Sequence, residues 1–385
     1  MAQDPTPNEP EKASSESTSS YKAQAPNFHP SYITPDTFHR LLNCYPVTVE
    51  AIARRKATGR TTRSSAAVAK KARKSKSGAS SSSDGDAALT EQERVDRDVQ
   101  AFLELDEKRY RGLPEIVRDR AGADGGEGGF LTKEELVEIM EWKLCVSLSL
   151  SLSVRSLKDQ PSLSRKHGVS RPMLLGMIKG NTDDVVEKAT ANAFAKIPAR
   201  RRTRYNEFDG TKIEEGGEFP EFCLGMVSRP LRGVGPATAS LLLSVATAKR
   251  DAVQEVPFYS DDVFLWLCLK EGPGIDRVQG GDEMEGGEES KKRKTKKNPR
   301  AGVFKPNGEI DVKYTVQEYR QLWDAVGKLT RRLNILGSSS EPVSCLDVEK
   351  AALVLRHIDI SGFFETEAEE GSSVGGKRKR NGKTS

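Results

Sequence analysis

The sequence predicts an all-α protein, a helical bundle with disordered tails and insertions, and three observations predict it. Apolar residues recur at helical spacing in successive windows between residues 90 and 365. Capping boxes, a Thr with a Glu three residues on, open these windows at Thr90/Glu93, Thr132/Glu135 and Thr315/Glu318. No pair of alternating segments joined by a hairpin turn appears. Eight to ten helices are expected, in a domain made of residues 89–270 and 302–365.

Residues 1–88 are rich in Ser, Thr, Pro, Ala and Lys and read as a disordered basic region. Within it, Tyr32–Val49 carries Phe38, Leu41, Leu42, Tyr45 and Val47, enough for one short docking helix. Order is expected from Thr90, where Val95, Val99, Phe102 and Leu103 stripe a helix running to about Arg111. Leu113–Arg120 reads as a short helical piece and Ala121–Gly129 as a flexible loop. From Thr132, the residues Leu136, Val137, Ile139, Met140 and Leu144 make an amphipathic helix, with Trp142 on or beside its buried face. Cys145–Arg165 alternates Ser and Leu like a strand but has no partner strand, and reads as an insertion. Arg171–Ile178 and Thr182–Ala195 are two more helices, the second with Asp183 and Asp184 where the helix dipole favours acids. Pro198–Pro220 is an Arg-rich connection.

Phe222–Val227 and a helix reaching about Lys249 flank the stretch the bundle is organised around, Leu231–Val245. Asp261–Leu269 begins the next helix. Residues 271–301 are a Gly-, Glu- and Lys-rich charged insertion. Val316, Tyr319, Leu322, Trp323, Val326, Leu329 and Leu333 then form the clearest amphipathic helix of the chain. Ser344 with Asp347 starts the last helix, and 366–385 is a disordered basic tail.

Charge is unevenly spread. Residues 1–88 carry 13 Lys and Arg against 8 Asp and Glu; 291–300 and 377–385 add seven and five basic residues with no acid. Residues 89–270 hold 27 basic against 29 acidic side chains, and 301–370 hold 8 against 12. The part expected to fold is therefore net acidic, and a nucleic-acid footprint on it must be local. The clusters Lys291–Lys297 and Gly376–Lys383 resemble nuclear-import signals, so a nuclear location is expected. Five scattered cysteines without a CxxC pair support neither a zinc ribbon nor an iron–sulfur cluster. No metal or other cofactor is expected, and no apolar run reaches membrane-spanning length.

In LRGVGPATASLLLSV, Gly233 and Gly235 frame a turn, and Pro236 takes the first helical position, where its missing N–H is not needed. A glycine turn feeding a helix N-terminus is suited to an anion, because its N–H groups and the positive end of the dipole point the same way. Arg232, Gly233, Val234, Gly235, Ala237 and Thr238 are thus candidate contacts to a DNA backbone. The plainer alternative is a tight turn between two packed helices.

The string L-x-G-V-G-x-x-T-A-x-x-L resembles the helix-hairpin-helix DNA glycosylase superfamily. That resemblance implies a DNA partner and an essential aspartate at the start of the helix that follows the hairpin. Asp262 matches, with Asp261 beside it. Cleaving an N-glycosidic bond builds positive charge on the sugar, which a carboxylate stabilises. The flipped base needs an aromatic pocket, for which Trp142, Tyr259 and Trp266 are candidates. Ala237 stands where strand-cleaving members carry a lysine, so the implied enzyme is a monofunctional base-excision glycosylase. The chain also resembles a fungal and plant group with WKL, KHG-x-x-RP, LxGVGPATAS and SD-[DE] strings. Here these are Trp142–Leu144, Lys166–Gly168 with Arg171–Pro172, and Ser260–Asp262. In that group the first acid of the pair is the aspartate, which points to Asp261, and WKL runs directly into KHG. That contiguity marks Cys145–Arg165 as non-native to the fold. The alternative function is a non-catalytic hairpin module or scaffold that binds DNA or a protein partner.

Overall fold

A computed structural model of the chain describes residues 26–74, 90–123, 129–147, 172–199, 204–205, 212–213, 217–250, 253–271, 273, 312–337 and 341–365. The suspected insertion beyond Ser147, His167, the charged insertion beyond residue 273 and the tail from 366 lie outside the described residues.

The described chain is predominantly helical, as expected. Helices α1 (Pro35–Asn43) and α2 (Tyr45–Lys74) come first, then α3 (Glu91–Glu107). A π-helical turn, Lys108–Gly112, carries α3 straight into α4 (Leu113–Ala123), so the helix expected to end near Arg111 and the short piece expected from Leu113 are continuous. Helices α5 (Lys133–Ser147), α6 (Pro172–Lys179) and α7 (Asp183–Phe194) follow. Next come α8 (Glu221–Ser228), α9 (Pro236–Thr247) and α10 (Asp261–Leu267), and then α11 (Val316–Leu336) and α12 (Cys345–Arg356). The capping boxes form as read: Thr90, Thr315 and Ser344 each accept from, and are reached by, the residue three on. Thr132 and Glu135 exchange the same pair of bonds at 2.9 and 3.4 Å.

Two expectations need correction. Residues 26–59 do not belong to an unfolded region. Phe28, Ile33, Phe38, Leu41, Val49, Ile52, Ala53 and Ala57 are core residues, and α2 packs along α3 and against α12. The short docking helix read in Tyr32–Val49 is present as α1 and the start of α2, but it belongs to the core, which the Ser- and Lys-rich flanks of the segment did not suggest. A strand pair also exists, a two-residue antiparallel ladder of β1 (Arg204–Tyr205) and β2 (Lys212–Ile213), too short to leave an alternation pattern.

Helix α9 sits at the centre, with α8, α4, α7 and α11 around it. Every residue from Ala237 to Thr247 is buried. A helix apolar on all sides belongs in a core, yet Ser240, Ser244 and Thr247 are on this one. Each donates back to its own helix, to Ala237, Leu241 and Leu243 carbonyls at 3.1, 2.8 and 2.9 Å. Each also accepts from a neighbouring segment: Tyr259 N–H at 2.9 Å, Arg109 Nη2 at 2.6 Å and Val256 N–H at 3.0 Å. The hydroxyls are therefore satisfied, and two of them tie the extended stretch before Asp261 to the central helix.

Candidate functional site

The turn between α8 and α9 has the backbone its sequence requires. Gly233 lies in the left-handed region at φ +79°, which a side chain strains. A Cβ there would also meet Met177 Cβ at 3.2 Å and Ile178 Cδ1 at 3.3 Å, so the glycine lets the turn close onto α6. Gly235 is different: it caps α9 in an extended conformation, and a Cβ on it would meet nothing within 4 Å. Its side-chain direction opens to solvent. The Gly235 carbonyl accepts from Thr238 and Ala239 at 3.0 and 2.8 Å, so the helix starts there. Among the described residues, the N–H groups of Gly233, Gly235 and Ala237 meet no acceptor.

Two basic residues belong to the turn, Arg229 at its start, with its guanidinium lying back over Gly225 of α8, and Arg232 beside Gly233. Arg229 and Arg232 are exposed, and among the described residues neither meets an acid. Of the other candidates, Val234 and Leu231 are buried and anchor the turn, and the Ala237 and Thr238 side chains are buried as well. The Thr238 hydroxyl accepts from Lys143 Nζ at 2.9 Å. Lys143, on α5, thus brings a third cation to the start of α9, and it also lies 5.6 Å from the centre of the Phe258 ring. Asn181 pins the turn: its Oδ1 accepts from Arg232 N–H at 2.8 Å, and its Nδ2 donates to the carbonyls of Arg232 and Ile178 at 3.1 and 3.0 Å. Neither Lys143 nor Asn181 was assigned to the hairpin from sequence. They lie 95 and 51 positions from their partners, and no local pattern carries such a pairing.

The two aspartates at the start of α10 separate clearly. Ser260 caps the helix through Val263 N–H at 3.1 Å, which leaves both acids in the first turn. Asp261 is half-buried and accepts from Tyr314 Oη at 2.7 Å. Asp262 is 7 % exposed, and among the described residues its buried Oδ1 has no donor. Burial pushes its carboxyl up to about 7; Arg356 and Lys56 pull it down, while Asp261 and Glu349 push it further. A carboxylate with that value stands ready to hold or release a proton near neutrality.

The aromatic residues proposed as pocket walls are core members, which corrects that expectation. Trp142 and Trp266 are each 2 % exposed and Tyr259 1 %. Trp142 Nε1 donates to Asp106 at 2.9 Å, Trp266 Nε1 to the Phe28 carbonyl at 2.8 Å, and Tyr259 Oη to Glu318 at 3.0 Å. Their polar atoms are spent on packing neighbours, and their ring faces are covered. Tyr259 stacks at 18° on Tyr319, 5.5 Å away.

Beneath them lies a polar cluster the sequence did not announce. Arg109, from the π-turn, is fully buried and donates through Nη2 to Ser244 and to Glu349, the latter at 3.4 Å. Glu349 also accepts from Tyr110 Oη at 2.8 Å, and Asp106 from Tyr45 Oη at 3.0 Å. Burial raises both carboxyls. A π-turn that places a charged residue in the core often marks a built feature, and this one ties α3, α9 and α12 together.

No group of three potential metal ligands occurs among the described residues, and none of their helices is long and apolar enough to cross a membrane. No family model, curated protein or solved structure matches the chain.

Proposed function

We propose that the chain is a nuclear DNA-binding protein that grips the DNA backbone through a helix-hairpin-helix, Leu231–Thr238, on a DNA-glycosylase-like fold. One observation carries this reading. The cap at Gly235 opens to solvent, with N–H groups that meet no acceptor among the described residues at the positive end of a twelve-residue helix, and the exposed Arg232 in the same turn. The footprint is small, as a net acidic domain requires. Binding should therefore be weak, independent of sequence and sensitive to salt. Fluorescence anisotropy on duplexes of unrelated sequence, titrated from low to physiological salt, tests it. Equal affinities that fall with salt support the reading, and no binding even at low salt removes it.

A second reading, a monofunctional base-excision glycosylase, is favoured by Asp262. A buried carboxylate oxygen with no donor among the described residues calls for an explanation, and stabilising a cationic sugar in the transition state is one. Asp261 already accepts from Tyr314, so Asp262 is the carboxylate this reading uses. Release of free base from lesion-containing duplexes, lost in Asp262→Asn and kept in Asp261→Asn, is the expected result. Binding without base release on a broad lesion panel leaves a non-catalytic module.

A further inference from the structure

Helix α2 outruns the helix it packs on. The two pair antiparallel: Tyr45 Oη donates to Asp106 at 3.0 Å, and Arg54 pairs with Asp96 at 2.8 Å. That register puts Thr90, the cap of α3, opposite about residue 60 of α2. Helix α2 then runs on to Lys74, about 21 Å past the start of α3. Tyr45, Val49, Ile52, Ala53 and Ala57 are its buried stripe. The same three-and-four spacing continues as Arg60, Arg63, Ala67, Lys70, Lys71 and Lys74. By helical periodicity, the face that is apolar beside α3 becomes basic beyond it. In the packed half the cations have acids: Arg54 meets Glu50 and Asp96, and Arg55 meets Asp359. Residues 60–74 hold six basic residues and no acid. Arg60 with Arg63, Lys70 with Arg73 and Lys74, and Lys71 with Lys74 are like charges three or four apart, which oppose the helix until an anion offsets them.

We propose that residues 60–74 of α2 are a cationic arm that lies along the phosphate backbone of a nucleic-acid duplex, independently of the hairpin. The composition of the arm selects this partner over other anionic ones. A membrane surface takes helices that bury Trp, Phe or Leu opposite the basic face, and a protein groove takes helices with large apolar anchors. Opposite the basic stripe the arm has Thr61, Ser65, Val68, Ala69 and Ala72, and Val68 is its largest apolar residue. A phosphate backbone requires no anchor, because the gain comes from released counterions. The charge density fits as well. A duplex carries one phosphate charge per ~1.7 Å of axis, so an arm of this length meets more phosphates than its stripe has cations. The arm also supplies the positive surface that the net acidic residues 89–270 lack.

The test is duplex binding by the full chain, followed by anisotropy across salt concentrations. The combined variant Arg60→Gln, Arg63→Gln, Lys70→Gln, Lys71→Gln and Lys74→Gln keeps good helix formers on the stripe. It should bind at least tenfold more weakly at low salt and lower the slope of log affinity against log salt by about four. Ala67→Pro keeps every charge but interrupts the stripe, and should weaken binding severalfold. Among the described residues, the buried stripe of α2 ends at Ala57, so these changes spare the packed core. An unchanged slope in the Gln variant overturns the proposal. So does an Ala67→Pro protein that binds as tightly as wild type, because the arm would then act only as a charged tail. Cosedimentation with phosphatidylserine vesicles that is lost in the Gln variant, with duplex binding intact, overturns it in favour of a membrane surface. The hairpin reading fails separately: duplex binding that survives Gly235→Asp but is lost in the Gln variant removes the hairpin and leaves the arm. Absence of duplex binding by wild type at low salt removes both.

Discussion

The side-chain amide of Asn181 holds the peptide of Arg232 by both ends, accepting from its N–H at 2.8 Å and donating to its C=O at 3.1 Å. Asn181 is buried at the end of α6, so this clamp fixes the hairpin turn to a neighbouring helix. Asn181→Ala leaves the Arg232 and Ile178 backbone groups without their partner. A loss of ~2–4 kcal/mol in urea unfolding is expected, together with weaker DNA binding, because the turn amides lose their fixed geometry. Unfolding curves and anisotropy on the same variant check both.

The two glycines of the turn answer to different constraints. Gly233→Ala introduces a side chain at φ +79°, within 3.2–3.3 Å of Met177 and Ile178. It should cost ~1–3 kcal/mol, read as a lowered urea midpoint at unchanged slope. A variant as stable as wild type would mean that the turn relaxes without the glycine.

Arg232 presents its side chain to solvent, outside the clamp on its backbone. Arg232→Ala should weaken binding to every duplex by a similar factor. It should also lower the slope of log affinity against log salt by about one. An unchanged slope would place the phosphate elsewhere.

Asp262 gives a pH signature. Burial raises its carboxyl from 3.8 unfolded to about 7 folded. Between these values the folded chain keeps a proton that the unfolded chain has released. This contribution is therefore fully present in acid and is lost as pH rises through 7. Asp262→Asn removes the dependence. It should be more stable than wild type at pH 8 by ~1–4 kcal/mol and close to it at pH 4, by urea unfolding at the two values. A variant less stable than wild type at pH 8 would mean the ionised carboxylate makes a bond of its own.

Local grammar made most of the fold legible. The capping boxes at Thr90, Thr132 and Thr315 and the stripe Tyr319–Leu333 set helix positions by short-range chemistry, and the structure has them. Gly233 and Pro236 announced the turn for the same reason. What escaped was long-range. Nothing in the sequence near the end of the helix read to Arg111 marks Arg109 as buried, because its partner Glu349 is 240 residues away. The Ser240, Ser244 and Thr247 hydroxyls look like ordinary helix residues until Tyr259, Arg109 and Val256 are seen to donate to them. Trp142, Tyr259 and Trp266 are types suited both to a pocket and to a core, and burial alone decides between these. For residues 26–59 the apolar positions of Tyr32–Val49 announced one short docking helix, but not that Val49, Ile52, Ala53 and Ala57 carry a second helix into the core, because the Ser- and Lys-rich composition around them reads as disorder.

The account turns on whether the amides at Gly235 hold a phosphate, and Gly235→Asp measures that most directly. The position is an extended helix cap with open space for a side chain, so the aspartate fits. Its carboxylate would accept from the Ala237 or Thr238 N–H and oppose the dipole, at no loss of stability and a gain of up to ~1 kcal/mol. The same carboxylate occupies the anion's place. The account predicts a melting temperature equal to or above wild type, with duplex affinity at low salt reduced by about tenfold or more. A Gly235→Asp protein that folds as well as wild type and binds duplex as tightly would contradict it.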